Sequence, residues 1–185
     1  MPLALILPAL INRDIKYGFT LSLAFLFCSF LVDNKELKIG SQVPDFSAKL
    51  YNNADFKLSN LKGSYTLVQF WASWDLPSLK SHIKLVKTYN EFKDYKFVNG
   101  KKFNVVAISI DQKPETYKIA IARENFPWNY LICDFNGWDS PLIDSFKIEN
   151  IPANFLLNPD GKIIAKNIFN EAVENELNKF IKLKK

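Results

Sequence analysis

Tyr65 to Trp71 (YTLVQFW) is a near-continuous apolar run followed at once by an aromatic elbow, and it constrains the fold more than any other stretch. A short run without alternation fits a strand covered on both faces, where each side chain meets protein rather than water. After Ala72-Ser73-Trp74, Asp75 stands where a helix N-cap belongs and Pro77 falls in the first helical turn. Leu79, Ile83, Val86 and Tyr89 then recur at helical spacing, which predicts an amphipathic helix to about Phe92. A strand feeding a helix in this way presents the helix's free N–H groups and positive dipole end at the elbow.

Similar reasoning orders the rest of the chain. Short strands are predicted near Phe46–Leu50 and Phe56–Leu58 around an Asn52-Asn53 turn, and Lys96–Lys102 reads as a loop. Phe103–Ile110 is a second buried strand, Pro114–Asn125 a helix, Tyr130–Cys133 a short strand, and a further helix runs to about Phe146. The strand ending at Leu157 is approached through Ile151-Pro152. Asn158-Pro159-Asp160-Gly161 then makes a turn in which proline presets φ and glycine accepts a positive one. Ile163–Ala165 pairs back as a hairpin, and Val173, Leu177, Phe180 and Ile181 give a closing helix one apolar face. Strands alternating with helices and ending in a hairpin predict an α/β fold with a mixed central sheet flanked by helices.

Cysteine and histidine usage narrows the chemistry. The 185 residues hold two cysteines and one histidine. Cys28 lies in the N-terminal apolar part, so Cys133 alone serves the folded region, and no internal disulfide, C-x-x-C centre or metal cluster can be assembled there. No metal and no cofactor are expected. His82, between Ser81 and Ile83, is expected to be structural or solvent-facing. The net charge of +5 comes from scattered lysines without interleaved aromatics, which fits solvated faces and no nucleic-acid partner.

Three segments are predicted: residues 1–32 as a membrane anchor or signal, 33–39 as a polar linker, and 40–185 as the folded domain. The apolar blocks Leu3–Ile11 and Tyr17–Val32 flank Arg13 and Lys16, and Asp33 and Glu36 follow. That asymmetry favours an inside N-terminus and an exported domain. An uncleaved anchor is the first expectation and a cleaved or lipidated signal the second. A start later than Met1 would also account for the double block.

Phe70-Trp71-Ala72-Ser73-Trp74-Asp75-Leu76-Pro77-Ser78 resembles the FWAxWCxPC signature of the thioredoxin superfamily, in its redoxin, TlpA/ResA-like branch of membrane-tethered thiol–disulfide oxidoreductases. Val43-Pro44-Asp45-Phe46, Ser109-Ile110-Asp111, Ile151-Pro152 and Asn158–Gly161 match in the same order, so the resemblance covers about Gly40 to Lys185. It implies a thioredoxin-like fold with Phe103–Phe146 as the branch's central β/α insertion and a cis-proline loop at Ile151-Pro152. Two positions depart: Asp75 replaces the nucleophilic cysteine and Ser78 the resolving one. The family's partly buried acid falls on Gln69.

In the family, thiolate attack opens a disulfide and the second thiol resolves the mixed intermediate. A carboxylate and a hydroxyl can do neither. Asp75 is then either a helix cap in a vacated position or a fixed carboxylate in a groove outlined by Trp74, Asp75, Pro77, Ile151 and Pro152, suited to an extended peptide or protein partner. Hydrolysis would need a second acid, a base or a metal, and the neighbouring sequence offers none. Cys133, in an apolar strand, reads as an inert thiol or, more sharply, as a lone redox thiol. The preferred reading is a membrane-tethered, non-catalytic binding or assembly module of the extracytoplasmic (periplasmic) thiol-redox system. An oxidoreductase or antioxidant protein acting through Cys133 is the alternative, and a decayed paralogue the third.

Overall fold

A computed structural model describes residues 36–182. The anchor, Cys28 and residues 33–35 of the linker lie outside the described residues. Among the described residues, no helix is long and apolar enough to cross a membrane.

A hairpin of β1 (Ser47–Lys49) and β2 (Asp55–Lys57) leads through a 3-10 turn at Leu58–Leu61 into β3 (Tyr65–Trp71). Then follow α1 (Leu76–Phe92), β4 (Phe103–Ser109), α2 (Pro114–Glu124), β5 (Tyr130–Cys133), a 3-10 turn at Gly137–Asp139 and α3 (Pro141–Phe146). Strands β6 (Ala153–Leu157) and β7 (Ile163–Lys166) precede α4 (Glu171–Asn178). The main sheet has the order β5-β4-β3-β6-β7, with β3, β4 and β5 parallel and β6 and β7 antiparallel to their neighbours.

Because β3 is central, every residue of it is buried. Val68 and Phe70 face one core with Phe56, Leu58, Ile143 and Phe146, under the hairpin and α3. Tyr65, Leu67 and Trp71 face the other core, under α1, α2 and α4, with Leu85, Phe92, Tyr117 and Leu177. The β6–β7 turn has the expected form: the Gly161 N–H donates to the Asn158 carbonyl at 2.9 Å, with Gly161 at φ +83. The positive φ calls for glycine at Gly161, and a Cβ there, 2.7 Å from the Gln42 amide nitrogen, would also push that side chain aside.

Two expectations need correction. Ile83 is not on the buried face of α1 but 70% exposed, whereas His82 is 1% exposed. The buried line of α1 runs Ser78, His82, Leu85, Phe92, and Ile83 lies one residue, or about 100°, round from His82. Lys96–Lys102 is a loop, as expected, and it is pinned. Phe97 is buried and bridges Ile181, while the Val98 N–H donates to the Phe180 carbonyl at 2.8 Å and the Lys182 N–H to the Lys96 carbonyl at 2.9 Å. That pairing takes Phe180 and Ile181 out of the closing helix, which ends at Asn178.

Candidate functional site

At the elbow, Asp75 is extended (φ −91, ψ 103) and caps α1. One of its oxygens, Oδ2, accepts from the Ser78 N–H at 2.8 Å and from the Ser78 hydroxyl at 2.6 Å. The two positions that differ from the dithiol signature are thus joined by a closed pair of hydrogen bonds. Ser78 is fully buried; its carbonyl accepts from Ser81 Oγ at 2.7 Å, and Ser81 Oγ in turn accepts from Gln69 Nε2 at 3.2 Å. Gln69 Oε1 has no protein partner among the described residues.

Trp74 is 58% and Leu76 66% exposed, and Pro77 also faces solvent. Topology brings the second half of the predicted groove alongside. Phe70 pairs with Ala153 in antiparallel register, and one step further along both strands places Pro152 opposite Trp71. The Ile151–Pro152 peptide bond is cis, and both residues are half-buried. All five predicted groove residues therefore gather at one end of β3, with an apolar rim and a carboxylate.

A second acid does stand at the elbow, contrary to expectation. Asp111, 1% exposed just beyond β4, accepts from the Ser73 N–H (3.0 Å), the Ser73 hydroxyl (2.6 Å) and the Ser109 hydroxyl (2.6 Å). Its register neighbour explains the approach: Ser109 pairs with Trp71, and the Ile110 N–H donates to the Trp71 carbonyl at 2.9 Å. Both carboxylate oxygens are engaged by donors, so Asp111 braces the elbow rather than offering a free base. Its signal in the sequence was the Ser109-Ile110-Asp111 motif, quoted for resemblance and not for chemistry.

Cys133 is half-buried at the end of β5 and its thiol donates to the Asp111 carbonyl at 3.3 Å. Burial pushes that thiol up to about 11, so it stays protonated near neutrality. His82 meets neither solvent nor a polar partner. Its ring lies edge-on to Trp71 (4.9 Å) and Phe126 (4.8 Å), near Trp128 (6.2 Å), and burial lowers it to about 4. Among the described residues no cluster of metal-ligating side chains occurs.

A sequence profile described as thioredoxin-like matches residues 63–163, more than half of the chain. The chain belongs to the thioredoxin-like family. It stands in the ResA/TlpA-like branch: it is 25% identical over 166 residues to "Thiol-disulfide oxidoreductase ResA" of Bacillus cereus, covering 89% of this chain and 86% of that protein. Among solved structures, a thiol-disulfide oxidoreductase from Bacteroides fragilis superposes with a TM-score of 0.67 at 30% identity, covering 75% of this chain and 98% of that one. A thiol:disulfide interchange protein from a Bacteroides species gives 0.68 at 30% identity, with coverage of 78% and 91%. The thioredoxin-like fold, with its mixed sheet flanked by helices, is the shared feature.

Proposed function

We propose that this thioredoxin-like protein is a binding module that keeps the family's peptide-facing groove without its dithiol reaction. The observation that carries the reading is the closed Asp75–Ser78 pair, in which a cap and its partner fill both reactive positions with groups that cannot exchange sulfur. Trp74 and Leu76 leave apolar surface beside the Asp75 carboxylate, and the Ile151–Pro152 segment borders it, which suits an extended protein segment. The apolar N-terminal residues, preceded by Arg13 and Lys16, support a membrane tether with the domain on the extracytoplasmic side.

The competing reading, redox chemistry through Cys133, is disfavoured by a thiol raised to about 11 and engaged with a backbone carbonyl. Thiol–disulfide exchange decides between the two. The unmodified protein should be silent, Cys133→Ser should change nothing, and the double variant Asp75→Cys/Ser78→Cys should gain exchange. Turnover by the unmodified protein that Cys133→Ser abolishes would reverse the assignment.

A further inference from the structure

Where α1 and α4 cover β3 and β6, a cavity of about 10 Å³ remains, walled on its apolar side by the buried Leu67, Leu85 and Val173. Its polar side is formed by Gln69, Ser81 and Asn154. Gln69 and Asn154, each 1% exposed, are directly opposite in the antiparallel register of β3 and β6. Their side chains therefore leave the sheet on one face, with Cβ atoms about 5 Å apart. Asn170 is the one exposed residue of the lining and marks the mouth.

A census of donors and acceptors shows what the two amides have left over. Gln69 Nε2 donates to Ser81 Oγ, whose own hydrogen goes to the Ser78 carbonyl, while Gln69 Oε1 accepts from nothing among the described residues. Asn154 Oδ1 accepts from the Ile168 N–H at 3.0 Å, and Asn154 Nδ2 donates to the Ile168 carbonyl. An amide nitrogen carries two hydrogens, so Asn154 keeps one in hand. A buried carbonyl oxygen without a donor loses its hydration for no return. Gln69 Oε1 therefore marks a place where a donor is received, and the spare Asn154 hydrogen offers that donor something to bond in turn.

Size and charge decide what enters. About 10 Å³ is the room of a single water and of nothing larger. No carboxylate, lysine or arginine lines the cavity, so an ion would meet apolar walls without a counter-charge. An ammonium group could satisfy Oε1 but has no acceptor for the Asn154 hydrogen.

We propose that this cavity binds one water molecule, which donates to Gln69 Oε1 and accepts from the second Nδ2 hydrogen of Asn154. The water ends the polar line that starts at the elbow and passes from Asp75 through Ser78 and Ser81 to Gln69. The site does not rest on the reading of the groove.

The test is a rotating-frame Overhauser spectrum of the full-length, 15N-labelled protein, in which the sign of a cross-peak separates dipolar transfer from chemical exchange. The side-chain amide protons of Gln69 and Asn154 should both show dipolar cross-peaks to water. Ser81→Ala, which removes the nearest exchanging hydroxyl, should leave them in place. Gln69→Met, which keeps the length of the side chain and removes the amide, should abolish the Asn154 cross-peak. Should that variant fail to fold, the spectra of the parent and of Ser81→Ala still carry the test. Absence of the cross-peaks in the parent, their loss in Ser81→Ala, or an undiminished Asn154 cross-peak in Gln69→Met would overturn the proposal.

Discussion

Two buried polar clusters flank the paired ends of β3 and β4, and they handle the cost of burial in opposite ways. Around Asp111 the donors converge: one backbone N–H and two hydroxyls meet its oxygens within 3.0 Å. Around His82 the polar atoms find nothing. Both ring nitrogens, the indole nitrogens of Trp71 and Trp128 and the Tyr117 hydroxyl lack protein partners among the described residues, while their rings pack against one another. The first cluster fixes geometry, because hydrogen bonds to a carboxylate are directional and strong. The second fills volume, because aromatic rings bury much area with loose angular demands. The elbow is thus held from its polar side and cushioned from its aromatic side.

Substitution can break this contrast. Asp111→Ala should cost most, about 4 kcal/mol of unfolding free energy, since it strands the Ser73 N–H and two hydroxyls. A denaturant midpoint close to that of the parent protein would mean the brace is not structural. Acid should come next, through His82. Its ring titrates near 6.5 in the unfolded chain and near 4 in the fold. Between those values the unfolded state takes up a proton that the native ring refuses. The contribution is therefore complete above pH 6.5 and fades as the pH falls towards 4, by up to about 3 kcal/mol. His82→Leu should remove that part of the pH dependence while staying within about 1 kcal/mol of the parent at pH 7; equal acid sensitivity in the two proteins would locate it elsewhere.

Smaller effects sharpen the picture. Asp75→Ala should cost about 1 kcal/mol as a lost cap, and a calorimetric change well above that would show the Asp75–Ser78 pair to be more than a cap. Cys133 should scarcely affect stability, but at a given pH it should show about a hundredfold less thiolate than an ordinary thiol. Iodoacetamide labelling at the rate of a free thiol would contradict its burial.

The sequence was legible where one physical demand dominates. β3 and β5 fall at Tyr65–Trp71 and Tyr130–Cys133 as expected, because an apolar run between breakers leaves a strand few alternatives. The cap at Asp75 and the turn at Gly161 were equally plain, each being chemistry local to a few residues. The face of α1 was less so. Periodicity pointed to Ile83, whereas His82 is buried by Trp71, Phe126 and Trp128, which gather around it from distant segments. Asp111 escaped for a related reason: its bonds to Ser73 span 38 residues, which no local pattern records. The pinning of Phe97 to Ile181 is a still longer-range pairing of the same kind. For the site, the sequence named the residues at the elbow but not the carboxylate beneath it.

The register of β3 also bears on how the chain is made. Its parallel partner, β4, ends at Ser109, but its other edge waits for β6, which ends at Leu157. During synthesis from the N-terminus, this largely apolar, fully buried strand therefore has one hydrogen-bonding edge uncovered until some 85 further residues have followed Trp71 out of the ribosome. An unpaired apolar edge of that kind is a template for association with other chains. The nascent protein is thus most open to chaperone capture, and to mispairing, in the interval between Ser109 and Leu157.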